Sequence, residues 1–367
     1  MEPRAPGAQP ADDAPRPLLS LAPEELEARV AELGGKPFHT RILRREVLEN
    51  GVLDYEQITG LSKRLREGLA ATTPLLAGRE TQRVDASDGT IKLLLSFGRP
   101  GEESDATVET VHIPHHSARG GKPGAKGATL CVSTQIGCPV ACPFCASGKA
   151  GLVRNLAAHE IVEQFLRGRA LGPLSRSVVM GIGEPLLNFE ALTQALDCVH
   201  DELGKPGLGA RRITVSTVGF PERLRRIAPT KPRFQLAVSL HTPFDEQRDE
   251  LVPAMAGTPI EDVLAAADYW FECTGREVTY EVVLLAGETD TPDHAFRLAD
   301  RLRGRRCSVN LIPFNPVTDS DYGRPRPEDV EHFQNALTES GVVATVRWSR
   351  GLESDAACGQ LRIRSLG

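Results

Sequence analysis

Strand-like and helix-like segments alternate without interruption through the C-terminal two-thirds of the chain. From residue 128 onward, six apolar runs rich in β-branched residues are each followed by a helical pattern, beginning with ATLCVSTQ and ending with CSVNLIPF. Such repetition predicts an α/β fold with a parallel sheet covered by helices. Right-handed crossovers would curl that sheet into a partial (β/α)6 barrel, and an open doubly wound sheet is the alternative. Either layout places ligands at the carboxyl ends of the strands.

The other segments flank this α/β region, which we assign to residues 128–345. Residues 1–18 are rich in Pro, Ala and Asp, which predicts a disordered tail. Apolar residues recur at helical spacing over 19–80 and indicate a small helical domain, an accessory domain for RNA if the chain binds RNA. Alternating segments and a Gly/Lys-rich run predict a β-extension and a flexible loop over 81–127. Residues 346–367 follow as a C-terminal strand and loop.

Composition limits the classes of protein to consider. Hydrophobic residues make up 40% of the 367 residues and charged residues 25%, which is typical of a soluble globular protein. No apolar run reaches the roughly 18 residues of a membrane span, and no secretory signal is visible, so we expect a cytoplasmic protein without a membrane partner. The formal net charge of −6 lacks the basic footprint of many nucleic-acid binders, although several Arg/Lys clusters leave RNA binding open.

Cysteines are concentrated after the first predicted barrel strand. The stretch CPVACPFC places Cys138, Cys142 and Cys145 in one short loop, and Cys131 lies just upstream. A reducing compartment disfavours a structural disulfide framework. Zinc would take four ligands, with Cys131 as the fourth. Three thiolates suit a [4Fe–4S] cluster with one iron open to a ligand, and the spacing favours this interpretation over zinc.

A second motif, VVMGIGEPLLN, follows the next strand. Gly181 and Gly183 would let the backbone approach a ligand closely, and Glu184 would offer a carboxylate to an ammonium group. Together, the cysteine spacing and this Gly-x-Gly-Glu-Pro turn resemble the radical S-adenosylmethionine (SAM) superfamily. The resemblance implies one [4Fe–4S] cluster and SAM as cofactors.

The C-terminal stretch RGLESDAACGQLRIR resembles the RlmN/Cfr family of adenine methyltransferases, and the RlmN branch most. Further matches, in family order, are VETVHIP, TLCVSTQIGC, RNL, RRITVSTVG, AVSLH and NLIPFNP. The resemblance covers residues 20–362. It implies that Cys358 in the C-terminal catalytic loop carries the transferred methyl group as S-methylcysteine. It also implies that Glu109 accepts a proton and that Cys131 forms a transient disulfide with Cys358.

The same resemblance implies a set of residues for SAM, namely Gly183, Glu184, Ser216, Ser239, Leu240, His241 and Asn315. Without it, Cys131 would be interpreted as a small core residue and Glu109 as the exposed position of an alternating strand. The cysteines of the CPVACPFC loop would hold the cluster.

The implied activity is methylation of carbon 2 of adenine 2503 in 23S rRNA and of adenine 37 in tRNAs, with two SAM molecules per turnover. Carbon 2 has no nucleophilic lone pair, so a polar methyl transfer fails and a radical route becomes reasonable. One alternative keeps the mechanism but targets carbon 8 of the rRNA base, and another is a zinc-stabilised RNA-binding protein. The expected partners are 23S rRNA, tRNA and an electron donor such as flavodoxin or ferredoxin, with the enzyme itself a monomer.

Overall fold

The structure, a computed structural model, divides into two compact units at Ala77/Gly78. It describes residues 15–98, 106–115, 127–149, 151–203, 207–317, 320–348 and 359–361. The greater parts of the predicted tail and of the Gly/Lys-rich loop lie outside these ranges, as does Cys358.

The first unit is helical. Its helices are α1 (Pro23–Glu32), α2 (Pro37–Arg44) and α3 (Lys63–Thr72). The Ser62 hydroxyl accepts a hydrogen bond from the Leu65 N–H and so caps the start of α3. Leu18 differs from the prediction of a tail over 1–18, because its side chain is buried and its N–H donates to the Pro74 carbonyl at 2.8 Å. The helical unit therefore includes the end of the predicted tail.

The second unit begins with an antiparallel extension of three strands. These are β1 (Arg79–Asp85), β2 (Ile91–Ser96) and β3 (Thr107–Pro114), and β3 pairs antiparallel with the first barrel strand. The alternating segments DGTIKLLLSFG and ATVETVHIP predicted only β2 and β3, since β1 reads RETQRVD and lacks apolar alternation. The predicted boundary at residue 80 falls inside β1.

Six parallel strands with their helices form the α/β region, as predicted. The strands are β4 (Ala128–Cys131), β7 (Leu174–Val179), β8 (Ile213–Thr217), β9 (Gln235–Ser239), β10 (Val278–Leu284) and β11 (Cys307–Pro313). A small antiparallel hairpin, β5 (Gln135–Gly137) and β6 (Leu152–Asn155), follows β4. The helices are α4 (Ala158–Leu171), α5 (Phe189–Asp201), α6 (Pro221–Ile227), α7 (Asp245–Leu251), α8 (Ile260–Thr274), α9 (Pro292–Leu302) and α10 (Pro327–Glu339).

Strand order decides between the two predicted layouts. The six parallel strands are neighbours in chain order, β4-β7-β8-β9-β10-β11, and a seventh, β12 (Ala344–Val346), pairs parallel with β11. A doubly wound sheet would need a reversal of strand order. The partial barrel is therefore confirmed and the alternative is wrong. The last strand was predicted within residues 346–367, whereas β12 ends at Val346 and so lies almost entirely before that segment.

Strand residues alternate between an apolar and a polar face. Val215, Val238, Tyr280 and Leu311 are fully buried on one face, and they supply the core of the α/β region. The opposite face carries polar side chains at the carboxyl ends of the strands. Among the described residues, no helix combines the length and apolar character needed to cross a membrane.

Candidate active site

A pocket that is open to solvent lies at the carboxyl ends of the barrel strands. The lining includes most residues predicted from the sequence, namely Cys138, Cys142, Cys145, Gly183, Glu184, Ser216, Ser239, His241 and Asn315. Leu240 is not part of the pocket lining, and its side chain is fully buried. Its backbone N–H instead donates to the Glu281 carbonyl at 3.0 Å.

The cysteine loop is held by short backbone hydrogen bonds. The Cys138 N–H donates to the Gly151 carbonyl at 3.0 Å, and the Cys145 N–H donates to the Cys142 carbonyl at 3.1 Å. Burial, together with the neighbouring thiols, raises the pKa of the Cys138 thiol to about 12 and that of the Cys142 thiol well above its usual range. These two thiols are therefore protonated at neutral pH in the absence of metal, and binding a cation there releases protons.

Glycine is required in the Gly-x-Gly-Glu-Pro turn by its packing on the strand and hairpin before it. A Cβ at Gly181 would lie 2.6 Å from the Ser133 hydroxyl, and a Cβ at Gly183 would lie 2.6 Å from the Gln135 Cβ. Gly183 also has a φ of +109°, in a region that side chains disfavour. The Ser133 hydroxyl accepts a hydrogen bond from the Ile182 N–H at 2.9 Å, which fixes this close approach.

The Glu184 carboxylate joins the ends of two strands. It accepts hydrogen bonds from the Leu186 N–H at 3.0 Å, the Thr217 hydroxyl at 2.5 Å and the Val218 N–H at 2.9 Å. Burial raises the pKa of Glu184, although the three donors oppose this shift. A carboxylate has about four acceptor sites, so one is left for the ammonium group predicted from the sequence.

The next two strands contribute hydroxyl groups and a neutral imidazole. Ser216 Oγ and Ser239 Oγ are 3.3 Å apart. Burial lowers the pKa of His241 to about 3, so its ring is uncharged at neutral pH. The ring meets Phe144 of the cysteine loop edge-on, with centroids 4.9 Å apart. His241 therefore connects the fourth strand of the barrel with the predicted cluster loop.

Glu109 lies in a buried ion pair on the β-extension. Only 1% of the residue is exposed, which contradicts the interpretation of Glu109 as an exposed strand position. Lys92 Nζ is 3.0 Å from Glu109 Oε1, and Lys92 is buried as well. Lys92 was not predicted as a site residue. Glu109 is not part of the pocket lining.

Cys131 lies on the same face of the sheet as Glu109. It pairs in register with Val111, two residues after Glu109, and side chains two apart on a strand share a face. Cys131 packs in a buried cluster with Val111, Ile182 and Leu361. It is thus separate from the three cysteines that line the pocket.

Two family models match the chain, one for each unit. The model for the Radical SAM superfamily matches residues 132–299, and the model for the ribosomal RNA large subunit methyltransferase N-terminal domain matches residues 17–74. A probable dual-specificity RNA methyltransferase RlmN from Nostoc punctiforme is 43% identical over 350 residues, which cover 94% of this chain and 93% of the relative. A protein of the same name from Gloeobacter violaceus is 43% identical over 355 residues, 95% of this chain and 96% of the relative.

The chain belongs to the RlmN family. The crystal structure of a radical SAM methyltransferase from Sphaerobacter thermophilus agrees with this, with a TM-score of 0.85 and 39% identity over 95% of this chain and 100% of that one. The predicted resemblance is confirmed, and the protein is a radical SAM methyltransferase. Membership of the superfamily implies an iron–sulfur cluster and SAM.

The cysteine loop of this RlmN-family enzyme fits a cluster. Its three thiols line one pocket, and the Cys145 thiol is close enough to the other two to raise the pKa of both. Each thiolate of a [4Fe–4S] cubane binds a different iron, so the sulfurs need not converge on one point. Within the described ranges, no three His, Cys, Asp or Glu side chains are placed to hold a single ion. None of the seven described cysteines forms a disulfide with another.

Sequence reasoning missed a buried cation beside this site of the RlmN-family fold. Arg248 on α7 is 1% exposed, and its Nη2 donates to the Val218 carbonyl at 2.7 Å and the Ser239 carbonyl at 3.4 Å. Burial lowers its pKa to about 10. The segment DEQRDEL reads as an exposed charged helix, so no local signal predicted this arrangement.

Gly183→Ala should damage both the fold and ligand binding. The added methyl group would clash with Gln135 and the backbone would stay at positive φ, so we expect a loss of about 2 kcal/mol or more in unfolding free energy. Gly304→Ala is a matched control, because Gly304 has a φ of +78° but no atom within 4 Å of an added Cβ. Urea unfolding of the two variants measures the difference. Equal losses would contradict the proposed steric role of Gly183.

Proposed function

We propose that this enzyme methylates carbon 2 of adenine, at position 2503 of 23S rRNA and position 37 of tRNAs, through S-methylcysteine at Cys358. The curated relatives support the substrate class, since they are named dual-specificity RNA methyltransferases. The observation that carries the proposal is the anchoring of residues 359–361, which directly follow Cys358, between the pocket and Cys131.

Each of these three residues is held by a hydrogen bond. The Gly359 carbonyl accepts from the Ala146 N–H at 2.9 Å, and Gly359 lines the pocket. The Leu361 carbonyl accepts from the Ser147 hydroxyl at 2.8 Å, while Gln360 Nε2 donates to the Pro316 carbonyl at 2.9 Å. Leu361 packs in the cluster that contains Cys131. The residues that directly follow Cys358 in the sequence therefore contact both the pocket and the cluster of Cys131.

The proposed roles of the residues follow from their chemistry. Cys358, as a thiolate, displaces the methyl group from one SAM molecule. When bound, the [4Fe–4S] cluster supplies the electron that cleaves a second SAM molecule and so allows a hydrogen atom to be taken from the S-methyl group. The methylene carbon then joins the Cys358 sulfur to adenine carbon 2, one electron leaves the base radical that results, and Glu109 removes the proton from carbon 2. The Cys131 thiolate attacks the Cys358 sulfur, and the electron pair of the broken carbon–sulfur bond stays on the methylene carbon, which takes up a proton and becomes the methyl group. The Cys131–Cys358 disulfide that remains is reduced by an external dithiol before the next turnover.

The ion pair of Glu109 supports its role as a base. A buried carboxyl group without a partner tends to stay protonated, and a base must be ionised. Lys92 at 3.0 Å favours the charged carboxylate inside the sheet. The Ser133 hydroxyl donates to the Glu109 carbonyl at 2.8 Å and also accepts from Ile182, so it connects the proposed base with the Gly-x-Gly-Glu-Pro turn.

Nucleoside mass spectrometry tests the proposed target. The gene would be expressed in a bacterial strain without its own enzyme of this kind, with a Cys358→Ala version as the control. We expect 2-methyladenosine in digests of 23S rRNA and of tRNA, and none with the control. A product methylated at carbon 8 would contradict the proposed carbon, and a tRNA pool without the product would contradict dual specificity.

Glu109→Gln should slow product release without preventing methylation of Cys358. Loading the methyl group requires no base at adenine carbon 2, whereas loss of a general base typically costs roughly 100- to 10,000-fold in rate. Single-turnover assays on RNA measure the release step, and peptide mass spectrometry measures S-methylcysteine. Wild-type turnover in this variant would contradict the proposed role.

A second variant controls for the broken ion pair. Removing one partner of a buried pair leaves an uncompensated charge and can destabilise the fold. Lys92→Met combined with Glu109→Gln removes both charges. We expect this double variant to unfold at a temperature closer to that of the wild type than Glu109→Gln does, while its product release stays slow. Recovery of turnover in the double variant would show that Glu109 contributes only to folding.

The remaining partners are proposed on the same basis. We infer that 23S rRNA and tRNA contact the helical first unit, since the matching family model is that of a ribosomal RNA methyltransferase N-terminal domain. Reduction of the cluster requires a one-electron donor of the flavodoxin or ferredoxin class. We propose that the enzyme works as a cytoplasmic monomer.

A further inference from the structure

Glu281 is a pocket residue to which neither the motifs nor the proposed mechanism gives a role. It lies in the middle of β10, is 3% exposed and lines the pocket. Its Oε1 accepts a hydrogen bond from Asn310 Nδ2 at 3.1 Å. Its Oε2 has no hydrogen-bond partner in the part of the chain that the structure describes. A carboxylate oxygen shielded from water and left without a donor is costly, so a donor on the bound ligand would stabilise it.

Neighbouring strands fix the orientation of this carboxylate. Glu281 pairs in register with Ser239 on one side and Asn310 on the other. The Thr345 hydroxyl donates to Asn310 Oδ1 at 2.5 Å, so the amide nitrogen of Asn310 is directed at Glu281. Oε1 is therefore occupied by the protein, and Oε2 is the oxygen that remains for another donor.

The surroundings of Glu281 belong to the SAM site predicted from the sequence. The Leu240 and His241 N–H groups both donate to the Glu281 carbonyl, at 3.0 and 3.2 Å. Ser239, the register partner of Glu281, lies 3.3 Å from Ser216 through the two hydroxyls. A carboxylate beside two hydroxyl groups suits a sugar, because carboxylates accept hydrogen bonds from ribose hydroxyls in other nucleotide sites.

We propose that Glu281 accepts a hydrogen bond from a ribose hydroxyl of the adenosyl group bound in this pocket. The inference rests on the proposed function, in which the pocket binds SAM. It makes Glu281 a binding residue that selects an intact ribose. Burial raises the pKa of Glu281, while Arg347 and Asn310 oppose that shift and favour the accepting form.

Calorimetric titration with S-adenosylhomocysteine tests this inference on the full-length, cluster-loaded enzyme. We expect the wild type to bind the 2′-deoxy or the 3′-deoxy analogue at least about tenfold more weakly than the parent ligand. Glu281→Gln should bind the parent ligand more weakly than the wild type does, by a similar factor. The variant should then bind that same deoxy analogue with nearly the affinity that it has for the parent ligand. The wild-type comparison needs no substitution, so it is informative even if the variant unfolds.

Two further measurements separate the inference from its alternatives. An N6-dimethyl analogue of the ligand removes the exocyclic N–H donors. The contrary outcome is that the wild type and Glu281→Gln bind this analogue with equal affinity while still differing in affinity for the deoxy analogues. That result would assign the hydrogen bond to the adenine amine and overturn the ribose assignment. Glu163→Gln is the matched control, since Glu163 is buried on α4 outside the pocket and should leave binding unchanged.

The outcomes also distinguish the two levels of the proposal. Equal binding of all ligands by the wild type and Glu281→Gln would overturn the role of Glu281 and leave the SAM pocket intact. Failure of the wild type to bind S-adenosylhomocysteine at all would overturn the assignment of the pocket itself, and Glu281 with it.

Discussion

Cys131→Ala should trap the enzyme covalently on its RNA. The variant keeps Cys358, so it should still load the methyl group and form the carbon–sulfur bond to adenine. Without the Cys131 thiolate, no attack on the Cys358 sulfur releases the base. We expect turnover to stop almost completely and a slowly migrating, nuclease-sensitive protein band to accumulate on denaturing gels.

Cys358→Ala is the decisive comparison for this result. It removes the methyl carrier, so it should show neither S-methylcysteine nor product, and the double variant should lose the slow band. A zinc-stabilised RNA-binding protein predicts the opposite, with metal loss in Cys131→Ala and little effect in Cys358→Ala. The placement of Cys131 in a cluster with Leu361, apart from the other cysteines, favours the first outcome. An adduct-free Cys131→Ala enzyme that holds both cluster and methyl-Cys358 would refute the proposed division of roles.

Cys142→Ala should abolish cluster binding and leave the barrel folded. Cys142 lines the pocket from a loop, whereas the apolar core of the barrel is built by strands and helices elsewhere. We expect the iron content of anaerobically purified protein to fall to near zero, its brown colour to disappear, and no 5′-deoxyadenosine to form. Circular dichroism should remain close to that of the wild type.

A cysteine far from the pocket is the control for this experiment. Cys198 on α5 is not part of the pocket lining, and Cys198→Ala should keep both iron and turnover. Iron retained by Cys142→Ala together with wild-type turnover would remove Cys142 from the set of cluster ligands. A colourless wild-type protein with one zinc per chain would contradict the cluster altogether.

Much of the site could be predicted because its signals are local. Cys138, Cys142 and Cys145 lie within one stretch of eight residues, and the turn with Gly183 and Glu184 follows its strand directly. Parallel strands place their carboxyl ends at one edge of the sheet, so residues at successive strand ends had to meet there. The structure brings Ser216, Ser239, His241 and Asn315 to the same pocket.

Other features depend on which strands and helices become neighbours. Strand β1 has no apolar period and is recognisable only by its pairing with β2. The partial barrel was one of two layouts until strand order excluded the other. Leu240 is adjacent to two pocket residues in the sequence, yet its side chain is buried and is not part of the pocket lining.

The sequence by itself determined the α/β repeat, the cysteine loop and the family, because each depends on periodicity or on spacing within a short segment. Only the tertiary structure decided what the buried charges contact. Lys92 reaches Glu109 across a strand pair, and Glu281 meets Asn310 across another. Arg248 is buried although its helix sequence is charged. Burial and pairing of charges arise from contacts between distant segments, and hydrophobic periodicity carries no information about them.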